Sequence, residues 1–176
     1  MDVLKFSDGR KKFTIGLFFY NSAREVIKEE FASSIKKFIH EFVRGEKNEF
    51  SLSPYPRLSK GSLSVSHKIC KNESFLALAL SRDVEAIGVD LELEGNISRC
   101  INVLRRYGVS DYWNPIEQFT ILEASVKCYS VFLNRKVYFS EVVIEENSVF
   151  LRTFDARKAT PLTMSYQAFR IGLVYI

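Results

Sequence analysis

Apolar residues along this 176-residue chain form two kinds of pattern, short continuous runs and helix-like spacing. The run FTIGLFFY at 13–20 is typical of a buried strand. From 23 to 43 the apolar residues recur at helical spacing, with acidic side chains early and basic side chains late, as the helix dipole favours. The predicted strands cover 13–20, 49–53, 63–66, 75–80, 86–92, 137–144, 149–154 and 166–175, and the predicted helices cover 23–43, 97–107 and 115–132.

The order of these elements indicates a repeat. Two similar apolar strands with an Ile-Gly pair, FTIGLFF near residue 13 and EAIGVDL near residue 85, each precede helical sequence and then three short strands. The sequence therefore predicts an α+β fold of two similar halves, 1–82 and 83–176, related by pseudo-twofold symmetry. Because no low-complexity linker separates the halves, we expect them to share an interface, which is a common place for a ligand site.

Composition narrows the function classes. Apolar residues make up 47% and charged residues 26% of the chain, and the net charge of +4 comes from basic residues scattered in pairs. A nucleic-acid-binding protein would carry a denser basic stripe, whereas a polyphosphate ligand, an acidic protein partner or no charged ligand would all suit this balance. No apolar run reaches the roughly 18 residues of a membrane-spanning helix, and no apolar secretory signal opens the sequence, so we expect a cytoplasmic protein. The cysteines Cys70, Cys100 and Cys128 fit free thiols.

Two carboxylates stand on one predicted strand. Asp90 and Glu92 are two residues apart, so they face the same side at a separation of about 7 Å. They repel each other unless a cation or a basic side chain lies between them, and oxygen ligands at this spacing suit Mg²⁺. The alternative is an edge strand with a solvated polar face, which Glu94 favours by continuing the same alternation.

The predicted helix 115–132 carries a narrow polar stripe, formed by Thr120, Glu123, Lys127 and Ser130. Glu123 and Lys127 are four apart, so they could form an ordinary ion pair worth about 0.3–0.5 kcal/mol. They could instead supply a metal ligand and a cation for a phosphate. The run Ser66-His67-Lys68 ends a strand with three groups that bind phosphate, although it could simply be a polar strand end.

The segments SLSVSH, IGVDLE and W(x5)FTILEASVK, taken in this order, resemble the 4′-phosphopantetheinyl transferase superfamily in its compact single-chain form. The resemblance spans about residues 55–130. It implies two similar α+β halves with the site between them. It also implies metal-dependent transfer of the 4′-phosphopantetheine arm of coenzyme A to a serine of an acyl or peptidyl carrier protein, with release of adenosine 3′,5′-bisphosphate.

The resemblance implies a role for each matching residue. Asp90, Glu92 and Glu123 would bind Mg²⁺, or Mn²⁺ in its place, and Lys127 would hold a phosphate and offset developing charge. Glu123 would take the proton from the carrier serine. Ser66 and His67 would contact the phosphates of coenzyme A.

Other positions depart from the family pattern. Leu122 stands where the family has a lysine, Lys68 replaces a small serine, and Tyr55 replaces a lysine before proline. Arg24, at the start of the first predicted helix, is the candidate for binding the nucleotide part of coenzyme A. The alternatives are therefore a degenerate relative that binds coenzyme A or a carrier protein without transfer, and a structural α+β protein with a solvated acidic strand. We expect a monomer, because two halves in one chain already build a complete interface.

Overall fold

The computed structural model describes residues 1–9, 11–20, 27–42, 50–51, 56–70, 73–109, 114–145, 148–152 and 157–176. These residues form a mixed α+β fold with several sheets. In chain order the elements are β1 (Asp2–Asp8), β2 (Lys11–Tyr20), α1 (Ile27–Phe42), β3 (Phe50–Ser51), β4 (Arg57–Leu58), β5 (Ser62–Cys70), β6 (Glu73–Ser81), β7 (Ile87–Leu93), α2 (Ile97–Arg106), α3 (Pro115–Leu133), β8 (Val142–Glu145), β9 (Ser148–Leu151), β10 (Thr160–Tyr166) and β11 (Phe169–Tyr175).

Two antiparallel sheets dominate the architecture. The first sheet has the strand order β1-β2-β6-β5, and the second has the order β10-β11-β7. Two further pairs, β3 with β4 and β8 with β9, lie outside these sheets. No helix in the described ranges is long and apolar enough to cross a membrane.

The alternation of side chains along the strands builds a layered core. On β2, Phe13, Ile15 and Leu17 pack against the second sheet, whereas Phe18 packs against Phe38 of α1. Strand β7 likewise turns its odd-numbered apolar residues toward the first sheet. Helix α3 covers the other face of β7 and β11, so the layers run from α1 through the two sheets to α3.

Glycines allow each helix to lie close on its sheet. A Cβ at Gly88 would overlap the backbone carbonyl of Ala124 in α3, and a Cβ at Gly172 would come within 2.6 Å of the carbonyl carbon of Thr120. In the first half, a Cβ at Gly16 would lie 2.6 Å from the Phe38 ring. The glycine of each Ile-Gly pair in the sequence repeat therefore lies beneath a helix of its own half.

Helix α3 has sequence signals at both ends. The Asn114 side chain accepts a hydrogen bond of 3.2 Å from the backbone N–H of Glu117, which caps the first turn. Pro115 occupies the first helical position, where its missing N–H costs nothing. Asn134 ends the helix in the left-handed conformation, with a φ of 52°.

Several sequence expectations change. The predicted strand 166–175 is one arm of a hairpin, β10 and β11, that turns at Gln167 with a φ of 52°. The predicted strand 137–144 begins with a 3-10 turn, because Glu141 accepts a hydrogen bond of 2.9 Å from the Tyr138 N–H. Strand β1 was not predicted, because it ends its sheet and its side chains are exposed or half-buried. Cys100 and Cys128 are free thiols, as expected, and both are buried.

Candidate functional site

The seam where β5 of the first sheet meets β7 of the second is bridged by serine side chains. Ser62 Oγ accepts a hydrogen bond of 2.9 Å from the Ile87 N–H, and Ser64 Oγ accepts one of 3.0 Å from the Val89 N–H. Both serines are buried. Strand alternation places every second residue of β5 on this seam. The serines of the SLSVSH segment therefore join the two sheets through side-chain hydrogen bonds, in place of the backbone hydrogen bonds that pair strands within a sheet.

Asp90 is the centre of a buried polar cluster at this seam. Its side chain is 1% exposed, and its Oδ1 accepts hydrogen bonds from Ser66 Oγ at 2.7 Å and from Lys127 Nζ at 2.8 Å. Lys127 Nζ also donates to the Val89 carbonyl at 2.9 Å. Asp90 Oδ2 has no hydrogen-bond partner. A buried carboxylate oxygen without a donor is costly, so the site favours either a proton on Glu123, which then hydrogen bonds to Asp90, or a bound cation.

Glu123 precedes Lys127 by one turn of α3 and faces Asp90. Burial, and then the negative charge of Asp90, raises the pKa of Glu123 to about 7. The positive charges of Lys127 and Lys68 act in the opposite direction, and a hydrogen bond with Asp90 favours the protonated form. The predicted ion pair of Glu123 with Lys127 does not form, because the Lys127 ammonium reaches across to Asp90 instead.

The other hydroxyl groups of the predicted polar stripe form hydrogen bonds with the backbone. Thr120 Oγ1 donates to the Glu117 carbonyl at 2.9 Å, and Ser130 Oγ accepts from the Val137 N–H at 3.1 Å. Neither hydroxyl joins the cluster around Asp90.

Glu92 is bound by basic and amide groups. Its side chain is 0% exposed, and Lys68 Nζ lies 2.5 Å from Oε2. Asn96 Nδ2 donates to Oε1 at 2.6 Å, and an Arg99 guanidinium nitrogen lies 3.8 Å from Oε2. The expectation of a solvated acidic face is therefore wrong, because α3 covers this side of β7 and buries both Asp90 and Glu92.

The donor set fits a divalent cation in part. Asp90 and Glu123 offer facing carboxylates, one with an orphaned oxygen, which suits a hard cation. Glu92 is already paired with Lys68. Across the part of the chain that the structure describes, no three His, Cys, Asp or Glu side chains come together as a metal-binding group. Two carboxylates with substrate oxygens and water are a common way to hold Mg²⁺.

His67 lies on the other side of its strand. Its ring is 5.7 Å from the ring of Phe31 in α1, whereas Ser66 faces the seam. Burial, followed by the charges of Lys127 and Lys68, lowers the pKa of His67 below its ordinary value. Ser66 therefore contacts the cluster directly, whereas His67 lies on the α1 side of β5. Arg24 and Tyr55 lie outside the described residues.

A cleft of about 400 Å³ opens at the Ser62 end of the seam. Pro56, Gly61, Ser62 and Glu85 line one part of it, and Val131 lines another from α3. Val131 lies one helical turn beyond Lys127, but neither Lys127 nor Asp90 lines the cleft. Sequence reasoning did not find this cleft. It also missed the pairing of Lys68 with Glu92, although strand alternation places Lys68 on the same side as Ser66.

No protein-family model matches the chain, and no curated protein matches it significantly.

Proposed function

We propose that this protein transfers the 4′-phosphopantetheine arm of coenzyme A to a serine of an acyl or peptidyl carrier protein. The main support is the convergence of three segments that are distant in sequence. Ser66 of β5, Asp90 of β7 and Lys127 of α3 are joined by hydrogen bonds of 2.7 and 2.8 Å. These are the segments whose motifs resemble the transferase superfamily, so one polar cluster combines all three.

We further propose that the two halves are related by pseudo-twofold symmetry. In the first half, a strand, a helix and two more strands give the sheet order β2-β6-β5. In the second half, β7, α3, β10 and β11 give the corresponding order β7-β11-β10. The glycines Gly16 and Gly88 occupy matching places beneath α1 and α3.

Coenzyme A would lie along the seam, with its pyrophosphate at the polar cluster. The Lys127 side chain is 30% exposed, so its ammonium can contact a phosphate from its present position. Ser66 would stand beside it as a phosphate contact. Asp90 and Glu123 would hold Mg²⁺ or Mn²⁺, which would neutralise the pyrophosphate and favour departure of adenosine 3′,5′-bisphosphate.

The reaction exchanges one phosphorus–oxygen bond for another. The hydroxyl oxygen of the carrier serine bonds to the phosphorus of the pantetheine phosphate, and the bond from that phosphorus to the bisphosphate oxygen breaks. Glu123 would accept the serine proton, and a bound cation would keep its carboxylate ionised and therefore ready to act as a base. Lys127 offsets the negative charge that develops on the phosphate oxygens.

A relative that binds coenzyme A or a carrier protein without transfer is the second candidate. The ion pair between Lys68 and Glu92 favours it, because one of the family's metal carboxylates is already neutralised. Leu122 also favours it, since this fully buried residue stands where the family has a lysine. Turnover distinguishes the two candidates, because only the first changes the mass of a carrier.

The decisive experiment is intact-mass spectrometry of apo carrier proteins incubated with this protein, coenzyme A and Mg²⁺. We expect one phosphopantetheine to be added to a carrier, and the addition to stop with EDTA, Asp90→Asn or Glu123→Gln. The exposed Glu145→Gln is the control for loss of a carboxylate. Coenzyme A binding without any mass gain would favour the second candidate, and absence of both would contradict both candidates.

A further inference from the structure

Lys68 is a partly buried cation that contacts Glu92 directly. Its side chain is 13% exposed, and its ammonium lies 2.5 Å from Glu92 Oε2. The ammonium also lies 5.7 Å from the centre of the Phe119 ring, which covers it from α3. Asn96 donates to the other oxygen of the same carboxylate, and an Arg99 guanidinium nitrogen lies 3.8 Å from Oε2. Glu92 is therefore neutralised and held by side chains of this chain alone.

Asp90 differs from Glu92 in this respect. Each carboxylate has an ammonium beside one oxygen, Lys127 at Asp90 Oδ1 and Lys68 at Glu92 Oε2, although the Lys68 contact is an ion pair without hydrogen-bond geometry. The second oxygen differs, because Asn96 donates to Glu92 Oε1, whereas Asp90 Oδ2 has no hydrogen-bond partner and Glu123 stands opposite. The cluster thus contains three carboxylates and two ammonium groups, and the two ammonium groups are assigned to Asp90 and Glu92. Negative charge is therefore left uncompensated between Asp90 and Glu123, whereas Lys68 compensates the charge of Glu92.

We infer that Lys68 neutralises Glu92 and thereby removes it from the metal site, so that, among the residues that the structure describes, Asp90 and Glu123 are the carboxylates left for a divalent ion. This inference rests on the cation site of the proposed function. A site with fewer charged ligands binds its cation more weakly. The free protein should therefore bind the ion weakly, and the pyrophosphate of coenzyme A should supply the missing oxygens, so that metal and substrate bind together.

The test is Mn²⁺ binding to the full chain without coenzyme A, measured from the electron paramagnetic resonance signal of free Mn²⁺. We expect Lys68→Met to bind Mn²⁺ at least about tenfold more tightly than the wild type, because Glu92 becomes an additional charged ligand. Lys37→Met changes an exposed lysine of α1 and should leave the affinity unchanged. Adding Glu92→Gln to Lys68→Met should remove the gain, which would locate it at Glu92.

A second measurement keeps the test decisive if Lys68→Met does not fold, which circular dichroism would reveal. In the wild-type background, Glu92→Gln should leave Mn²⁺ affinity nearly unchanged, whereas Asp90→Asn should abolish binding. An equal loss in both variants would overturn the inference, as would an unchanged affinity in a folded Lys68→Met protein. Both results would leave the transferase proposal standing. Absence of Mn²⁺ binding in every variant would overturn the cation site and the inference together. The transfer assay with and without EDTA would then test the transferase proposal separately.

Discussion

Replacing Glu123 by glutamine should remove a pH dependence from the stability of the metal-free protein. The folded protein holds the Glu123 proton up to a pKa of about 7, whereas the ordinary value for a glutamate is 4.5. Between these values the native state binds more protons than the unfolded chain, so the free energy of unfolding falls as the pH rises. Glutamine is neutral at every pH, so Glu123→Gln should lack this loss.

The expected size follows from burial and from the neighbouring Asp90. A pKa rise from 4.5 to about 7 corresponds to about 3 kcal/mol of lost stability once Glu123 is ionised. Most of that loss should fall between about pH 5 and about pH 8. Glu123→Gln should therefore gain stability relative to the wild type across this range.

Urea unfolding followed by circular dichroism, repeated at several pH values, measures this difference. Glu73→Gln serves as the matched control, because it removes an exposed carboxylate from the start of β6. Saturating Mg²⁺ should reduce the wild-type pH dependence, because a bound cation favours the ionised carboxylate. Stability curves for the wild type and Glu123→Gln that stay parallel across the pH range would refute the assignment of Glu123 as a buried carboxyl facing Asp90.

Three further substitutions test the fold around the site by urea unfolding. Gly88→Ala should cost at least about 1–3 kcal/mol, because its Cβ overlaps the backbone of α3, whereas Gly95→Ala has open space and should cost little. Ser64→Ala should cost about 1–3 kcal/mol by leaving a buried N–H unpaired, and the exposed Ser165→Ala should be nearly neutral. Asn114→Ala should cost about 1 kcal/mol through loss of the α3 cap. Equal stability within either matched pair, or no loss in Asn114→Ala, would contradict the corresponding contact.

Apolar patterning was enough to predict most of the elements that position the site. The continuous run at β2, the acidic strand β7 and the long helix α3 all follow from local spacing, and the order of motifs brought Ser66, Asp90 and Lys127 forward as candidates. The burial of Asp90 was harder to predict from the sequence, because it depends on how closely α3 approaches the glycine at position 88.

The partners of the charges were the least predictable part. Glu123 and Lys127 have helical pair spacing, yet Lys127 bonds to Asp90, since the strand lies closer to its ammonium than sequence spacing can reveal. Lys68 was noticed only as a departure from a motif, and its pairing with Glu92 depends on the packing of β5 against β7. The roles in transfer, including that of Arg24, stay predictions.

The serine-lined seam also bears on self-association. Strands β5 and β7 each end a sheet, and an unpaired strand edge is a template on which another chain can add a strand. Here each edge covers the other, with Ser62 and Ser64 occupying backbone N–H groups that an added strand would need. A substitution that breaks the seam would expose two unpaired strand edges at once. We therefore expect aggregation through strand addition to be the first effect observed.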